Sequence, residues 1–323
     1  MTIAPTERTV ETDGASIHLI DAGEGPVVVL SHGFPELGYS WRHQVPALAE
    51  AGYRVLVPDQ RGYGRSSRPE ATEDYDITHL TGDLLALLDD VGAERATFVG
   101  HDWGAMVVWS LALLAPERVD GVVGMSVPFV PRSPAPPITI LRNLFGEAFF
   151  YMLHFQEPGV AEADLGRDPA TTMRRMLCAT GPEEGAPIDP SVFAPDGRGF
   201  VDRIPESDGL PDWLTQDELD HYVAEFTRTG FRGPVSWYRN LDRNWELTAH
   251  VADADVAVPS LFIGGSRDPV LVMTPPTVGA DRLTDHRGDV IVDGAGHWVQ
   301  QQAPDAVNAA LLDFLDGLDL HRS

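Results

Sequence analysis

The chain of 323 residues contains no lysine, so all 23 of its basic side chains are arginines. These are outnumbered by 49 acidic residues, and the formal net charge is −26 at pH 7. A surface of this charge repels polyanions, which excludes nucleic acids and anionic membranes as partners.

Cysteine and long apolar stretches are also scarce. Cys178 is the single cysteine and cannot form a disulfide within the chain, which is typical of proteins from a reducing compartment. No apolar run reaches the roughly 18 residues needed to span a membrane, and the first residues lack the apolar segment of a signal peptide. We therefore expect a cytoplasmic protein without membrane insertion.

What the chain does have is a compact strand-turn-helix pattern at residues 96–106, with the sequence Ala-Thr-Phe-Val-Gly-His-Asp-Trp-Gly-Ala-Met. Gly100 and Gly104 bracket the turn. Glycines two residues before and after the centre remove the side chains that would collide as the helix packs on the strand, which is the spacing of a nucleophile elbow. The central residue is Asp102, where the common version of this motif has serine. We expect its side chain to lie exposed above the sheet on a strained backbone.

The aspartate decides the chemistry that this motif can perform. A carboxylate with a reference pKa of about 3.9 is ionised at neutral pH and attacks carbon without help from a base. Attack on a saturated carbon produces an enzyme ester, whose carbonyl carbon can then be hydrolysed by a water that a histidine activates. The motif therefore excludes a serine esterase and indicates an electrophile such as an epoxide or an alkyl halide.

Strand patterns at residues 16–21, 27–31 and 119–125 alternate with helix patterns, such as that at 77–91, on both sides of Asp102. This alternation predicts an α/β protein with a mostly parallel sheet covered by helices on both faces. The alternation stops at Pro128, and from there to about His250 the chain is helical and aromatic. We interpret this stretch as a helical cap inserted over the site. The predicted organisation is an α/β-hydrolase fold with core residues 1–127 and 251–323 and cap residues 128–250.

Two further catalytic candidates follow late strands of the predicted sheet. Asp268 comes after a strand predicted at 259–264, and His297 follows a strand predicted at 289–292 in a glycine-rich loop. The chain order nucleophile, acid, histidine belongs to this fold, so we expect Asp268 to orient His297 as the base. Because aspartate before proline is also a common turn pair, an ordinary turn at Asp268 is the alternative.

Another loop of interest follows an apolar strand predicted at 27–31. It reads His-Gly-Phe-Pro-Glu over residues 32–36, and in this fold it lies beside the elbow. Glycine permits a close approach of the backbone, and proline restricts the turn, in which a cis bond can occur. We expect the backbone N–H groups of Phe34 and Trp103 to form an oxyanion hole.

These motifs and two segments of the predicted cap resemble those of soluble epoxide hydrolases of the α/β-hydrolase superfamily, over nearly the whole chain. The matching segments are residues 32–36, 100–104, Tyr151 with 154–159, 231–234 with 237–240, and 296–298. In that family two cap tyrosines hold and protonate the epoxide oxygen, and the corresponding positions here are Tyr151 and Tyr238. Opening an epoxide creates an alkoxide that needs such a donor, and a neutral phenol with a pKa of about 10 can supply it.

The resemblance also implies that Glu36 helps to place the hydrolytic water or the histidine. We expect four apolar side chains to line the substrate pocket, together with Glu36: Phe34, Met152, Phe155 and Trp237. The reaction needs no metal ion and no organic cofactor. The expected partners are a small apolar epoxide and water, and the sequence leaves a homodimer open.

The sequence also leaves two other functions open. A haloalkane dehalogenase uses the same aspartate, but its leaving halide needs N–H donors. Trp103 supplies one, whereas Phe34 stands where the second donor is commonly an asparagine. A noncatalytic binding protein of this fold is a second alternative, against which each catalytic position carries a chemically competent side chain. We therefore expect an epoxide hydrolase that forms an alkyl-enzyme ester on Asp102.

Overall fold

One sheet of eight strands organises the part of the chain that the computed structural model describes, residues 5–179, 189–318 and 320. The strands are β1 (Thr6–Thr12), β2 (Ala15–Ala22), β3 (Val27–Ser31), β4 (Arg54–Pro58), β5 (Ala96–His101), β6 (Val119–Met125), β7 (Ser260–Gly265) and β8 (His286–Val292). Their order in the sheet is β1-β2-β4-β3-β5-β6-β7-β8. β2 is antiparallel to both of its neighbours, and the remaining pairs are parallel.

Helices cover both faces of this sheet, and a further group of helices lies between β6 and β7 in the chain. In chain order they are α1 (Gln44–Glu50), α2 (Ile77–Val91), α3 (Trp103–Leu114), α4 (Pro137–Phe145), α5 (Tyr151–His154), α6 (Val160–Leu165), α7 (Pro169–Cys178), α8 (Gln216–Thr229), α9 (Arg232–Arg239), α10 (Leu241–Leu247), α11 (Pro269–Met273), α12 (Val299–Gln302) and α13 (Pro304–Asp316). Along β3, Val29 packs into the core with α2 and α3, whereas Val28 and Leu30 pack into the core with α1 and α13. A strand buried on both faces reads as a continuous apolar run, which is why β3 is easily recognised in the sequence.

Most buried elements lie where the sequence predicts them, but β1 does not. β3, α2 and β6 have the predicted bounds, whereas the sequence predicts no strand before residue 16. Within β1 only Val10 is buried, so no apolar alternation marks it. It forms because all of its residues pair with β2. It lies at the edge of the sheet, where charged side chains are typical.

Between β6 and β7 the described residues form helices α4 to α10 and contain no strand. The break in alternation expected at Pro128 follows directly on the end of β6 at Met125, and α10 ends at Leu247. Residues 180–188 of the predicted cap, and 1–4, 319 and 321–323 of the predicted core, lie outside the described residues. Across the described ranges, no helix is long and apolar enough to cross a membrane.

Asp76 joins the sheet-bound part of the chain to this helical segment. It is the N-cap of α2 and accepts hydrogen bonds from the backbone N–H groups of Thr78 and His79, both at 3.1 Å. Its other carboxylate oxygen pairs with Arg243 of α10 at 2.9 Å. Burial alone would raise the pKa of Asp76, but the hydrogen bonds from Thr78, Arg243 and His79 outweigh it and lower the pKa to about 2. The residue is therefore an ionised anchor between two parts of the fold.

Replacing Asp76 by alanine removes both contacts, and we expect the free energy of unfolding at neutral pH to fall by about 1–2 kcal/mol. Because the folded pKa of Asp76 lies below its unfolded value, the stabilisation is complete above a pH of about 4 and is lost as the pH falls towards 2. Urea unfolding of both proteins from neutral pH down to about pH 3 measures this difference.

The matched control is Glu73→Ala, an exposed position just before the same helix, for which we expect a change within about 0.5 kcal/mol. A difference between wild type and the Asp76 variant that stays constant across this pH range would contradict the anchoring role of the ionised carboxylate.

Candidate active site

The turn between β5 and α3 holds Asp102 in a backbone conformation that side chains rarely adopt, with φ at 52° and ψ at −117°. A Cβ atom at Gly100 would collide with the carbonyl of Gly104, and one at Gly104 would collide with the carbonyl of Ser31 on β3. Both glycines are therefore required for α3 to start this close to the sheet. The sequence prediction of a strained elbow with Asp102 at its centre agrees with this geometry.

The loop after β3 lies against this carboxylate. The backbone N–H of Phe34 donates to Oδ1 of Asp102 at 2.7 Å, and Gly33 packs so closely that a Cβ there would collide with Asp102. The peptide bond between Phe34 and Pro35 is cis. Trp103 begins α3, and the amides of a first helical turn have no acceptor within their helix. The backbone N–H of Phe34 thus contacts Asp102, and that of Trp103 belongs to the next residue in the chain. That these two groups form an oxyanion hole stays a prediction.

Asp268 and His297 come from distant parts of the chain to the same place. Asp268 caps the N-terminus of α11 by accepting from the backbone N–H of Val270 at 2.9 Å. Nδ1 of His297 lies 3.1 Å from each carboxylate oxygen of Asp268, and Nε2 lies 3.7 Å from Oδ2 of Asp102. The imidazole therefore stands between two carboxylates, which is the arrangement expected for the three predicted residues.

These charges shift one another's protonation. Burial would lower the pKa of His297, but the carboxylates of Asp268 and Asp102 outweigh it and raise that pKa well above its ordinary value. Burial would raise the pKa of Asp268, but His297 holds it below the usual range. With Asp102 ionised, the favoured state is therefore an imidazolium between two carboxylates.

A second histidine supports the backbone of His297. His101 is fully buried; its Nδ1 lies 2.6 Å from a carboxylate oxygen of Glu36, and its Nε2 lies 2.7 Å from the carbonyl oxygen of His297. The hydroxyl of Ser126 donates to the same carbonyl at 2.8 Å. Burial would raise the pKa of Glu36, but the charge and hydrogen bond of His101 lower it to about 2. Further donors to Glu36 are Gly33, Gln300 and Gln301.

A cavity of about 350 Å³ opens above these residues. Its walls comprise Phe34, Asp102, Phe149, Phe150, Tyr151, Met176, Ala179, Val192, Phe193, Phe200, Arg203, Ile204, Tyr238, Pro269, Val270, Met273, His297 and Trp298. Most of these side chains are apolar or aromatic, and the titratable ones other than Arg203 belong to the predicted catalytic set. The cavity is therefore mainly apolar, and its titratable groups are the predicted catalytic side chains and Arg203.

Two phenols from the cap face this cavity. The rings of Tyr151 and Tyr238 lie 5.9 Å apart. Burial and the nearby charge of Asp102 raise the pKa of both phenols above the ordinary value. The indole ring of Trp103 packs edge-on against Tyr238, with ring centroids 5.0 Å apart. Both tyrosines are therefore neutral hydrogen-bond donors at physiological pH.

Comparisons with known proteins agree with this geometry. Residues 26–304 match the family model of the alpha/beta hydrolase fold. Epoxide hydrolase A of Mycobacterium tuberculosis is 58% identical over 98% of this chain and 99% of its own, and epoxide hydrolase 3 of Siraitia grosvenorii is 40% identical over 95% and 97%. The crystal structure of epoxide hydrolase A from Mycobacterium thermoresistibile, 57% identical, superposes with a TM-score of 0.94 over 98% of this chain and all of that one. The chain belongs to the epoxide hydrolase family.

Family membership and the α/β-hydrolase fold, both predicted from the sequence, are confirmed by these matches. The prediction of the pocket walls was only partly right. Phe34 lines the cavity, but among the described residues the walls do not include Met152, Phe155, Trp237 or Glu36.

The absence of each of these four residues from the cavity wall has a structural reason. Successive residues of a helix point about 100° apart, so Met152 and Trp237 turn away when their neighbours Tyr151 and Tyr238 face the cavity. The indole N–H of Trp237 instead donates to the carbonyl of Arg61 at 3.1 Å. Phe155 packs behind the two tyrosines, with its ring 5.6 Å from Tyr151 and 5.1 Å from Tyr238. Glu36 lies beneath the site against His101, which favours placement of the histidine over placement of water.

The wall residues that the sequence analysis missed come mainly from irregular parts of the cap and from the segment after Asp268. They include Phe149, Phe150, Phe193, Phe200, Arg203 and Met273. The aromatic content of the cap was the available signal, but it does not say which rings face inward. His101 is not among the predicted site residues. Its imidazole points away from Asp102, as neighbouring elbow residues do, and contacts the loop that carries His297.

Replacing Asp102 by asparagine removes one of the two carboxylates that stabilise the imidazolium. We expect the pKa of His297 to fall by about one unit or more, since an opposite charge at this distance shifts a pKa by about 1–3 units. Titration of the imidazole nitrogens by nitrogen-15 NMR in wild type and variant measures the shift. The control is Asp89→Asn on the exposed surface, and an unchanged pKa of His297 in Asp102→Asn would contradict the electrostatic coupling.

Proposed function

We propose that the chain hydrolyses epoxides to vicinal diols, with Asp102 as the nucleophile. The observation that carries this proposal is the common cavity of one carboxylate on a nucleophile elbow and two neutral phenols, Tyr151 and Tyr238. A carboxylate alone suits any alkylating substrate, but paired proton donors opposite it suit a leaving group that becomes an alkoxide. The family of the chain supports the same reaction.

In the first step a carboxylate oxygen of Asp102 attacks a ring carbon of the epoxide. Oδ2 is suited to this role because Oδ1 is held by the amide of Phe34 at 2.7 Å. The carbon–oxygen bond of the ring breaks, and its electron pair goes to the oxygen, which takes a proton from Tyr151 or Tyr238. The imidazolium of His297 restores the proton to the phenol. The product is a neutral alkyl ester of Asp102.

Formation of the ester prepares the second step. Asp102 no longer carries a charge, so one of the two causes that raise the pKa of His297 disappears, and the neutral imidazole can act as a base. It takes a proton from water, which attacks the ester carbonyl. The backbone N–H groups of Phe34 and Trp103 stabilise the resulting oxyanion. The diol leaves with a proton from His297, and the carboxylic acid of Asp102 returns its proton to the imidazole.

Further expectations belong with this proposal. Residues 128–250 act as the cap that supplies Tyr151 and Tyr238, while the core supplies the nucleophile and the base. The substrate is a small apolar epoxide, which suits the apolar walls of the cavity. The cytoplasmic location and a homodimer stay predictions from the sequence.

The experiment that tests the function is a paired turnover assay on the purified protein. Styrene oxide and a medium-chain aliphatic epoxide should give diols. 1-Bromobutane should release no bromide, because a leaving halide needs a pair of N–H donors and Phe34 has no side-chain donor to join the indole of Trp103. Bromide release without diol formation would instead make the protein a haloalkane dehalogenase. Binding of an epoxide without any turnover would indicate a noncatalytic binding protein.

Replacing His297 by glutamine separates the two steps. We expect alkylation of Asp102 to continue and diol release to fall by about 10³-fold or more, because the ester loses its general base. Mass spectrometry of the peptide that contains Asp102 should then show the added mass of the epoxide. The control is the double variant with Asp102→Asn, which should show no adduct. Diol release at the wild-type rate would remove His297 from its role.

A further inference from the structure

The cavity walls contain one feature that the reaction does not use. Arg203 lies among the apolar and aromatic side chains of the cap wall and is the one arginine among the described wall residues. Its side chain is 4% exposed. A charged side chain is costly to bury among aromatic rings, and a purely hydrocarbon substrate would be accommodated as well by a methionine or leucine at this position.

The guanidinium is held by its own loop. One terminal nitrogen donates to the carbonyl of Val192 at 3.2 Å, and the other donates to Asp196 at 2.8 Å and to the carbonyl of Arg198 at 2.9 Å. Its central carbon lies 3.9 Å from the centre of the Phe149 ring, which is itself part of the wall. The position of Arg203 is thus fixed by contacts on the side of the loop and of Phe149.

These contacts do not use all of its donors. An arginine side chain carries five N–H groups, and the contacts above account for three. Nε is buried and has no hydrogen-bond partner among the described residues. An unsatisfied buried donor costs about 1–3 kcal/mol. A ligand acceptor that approaches Arg203 from the cavity meets a guanidinium on which these contacts leave two N–H groups unused, one on Nε and one on the nitrogen bound to Val192.

We propose that Arg203 is a specificity-determining residue that donates a hydrogen bond to an oxygen on the substituent of the epoxide, away from the ring. This inference rests on the proposed epoxide hydrolysis. The favoured substrates are epoxides with an aromatic or apolar substituent that ends in a neutral acceptor, such as an ether or carbonyl oxygen. A carboxylate fits less well for two reasons. Asp196 already balances the charge of Arg203, and the carboxylates of Asp102 and Asp268 would repel a second anion in the cavity.

The test compares two substrates that differ in one atom group. The glycidyl ethers of 4-methoxyphenol and 4-ethylphenol have the same epoxide and nearly the same shape, but the first has an ether oxygen where the second has a methylene. We expect wild type to favour the methoxy compound by about threefold to tenfold in kcat/KM, as one hydrogen bond allows. With Arg203→Met the preference should reverse, because the ether oxygen is then buried without a donor.

Arg198→Met is the matched control. Arg198 also pairs with Asp196 at 2.8 Å, but it is half exposed and lies outside the cavity wall. It should keep the wild-type preference, so a reversal in this variant would assign the effect to the loop and overturn the role of Arg203. Equal kcat/KM values for the two ethers in wild type would overturn it without any variant. Turnover of neither ether would instead overturn the proposed function.

Discussion

The close contact of α3 with the sheet at the elbow is the constraint on which the rest of the site depends. Gly100 and Gly104 bring the start of this helix against β3 and β5, where any larger side chain would collide with backbone carbonyls. The cost is a backbone at Asp102 with positive φ, and such strain persists only where the surrounding structure determines it. In return, the carboxylate stands clear of the sheet with the Phe34 amide on one oxygen and the imidazole of His297 near the other.

Charge is distributed around that carboxylate so that, in the proposed reaction, His297 changes from a proton donor to a base. His297 is stabilised as a cation by Asp268 and Asp102 together, and alkylation of Asp102 would remove one of these two anions. Asp268, which is buried and accepts from the Val270 amide, keeps the imidazole oriented throughout. The buried pair of Glu36 and His101 supports His297 indirectly, since His101 hydrogen-bonds the backbone carbonyl of His297 rather than its ring. His297 is thus held through both its side chain and its backbone.

The sequence was sufficient for those parts of the structure that a local pattern specifies. β3, α2 and β6 were placed correctly because burial on one or both faces produces a readable pattern of apolar residues, and the elbow was recognisable because its glycines are required sterically. β1 was missed because it forms by pairing with β2 and buries only Val10. The link from Glu36 through His101 to His297 joins three distant segments, and no local pattern encodes such a contact. The cavity walls were predicted poorly for the same reason, since the aromatic pattern of the cap does not show which rings face inward.

The residues of the core site are fixed by strand positions more tightly than those of the cap, and this difference affects which parts of the site can vary. Asp102, Asp268 and His297 follow the ends of β5, β7 and β8, where strand positions leave little freedom. The phenols and most of the cavity walls come instead from short helices and loops of the cap, which side-chain contacts with the core hold in place, such as that of Asp76 with Arg243. A substitution in a cap loop can therefore reshape the cavity while the distances among Asp102, Asp268 and His297 stay unchanged. Arg203 lies in that adjustable part, so a residue that selects among epoxides can change without any change to the reaction.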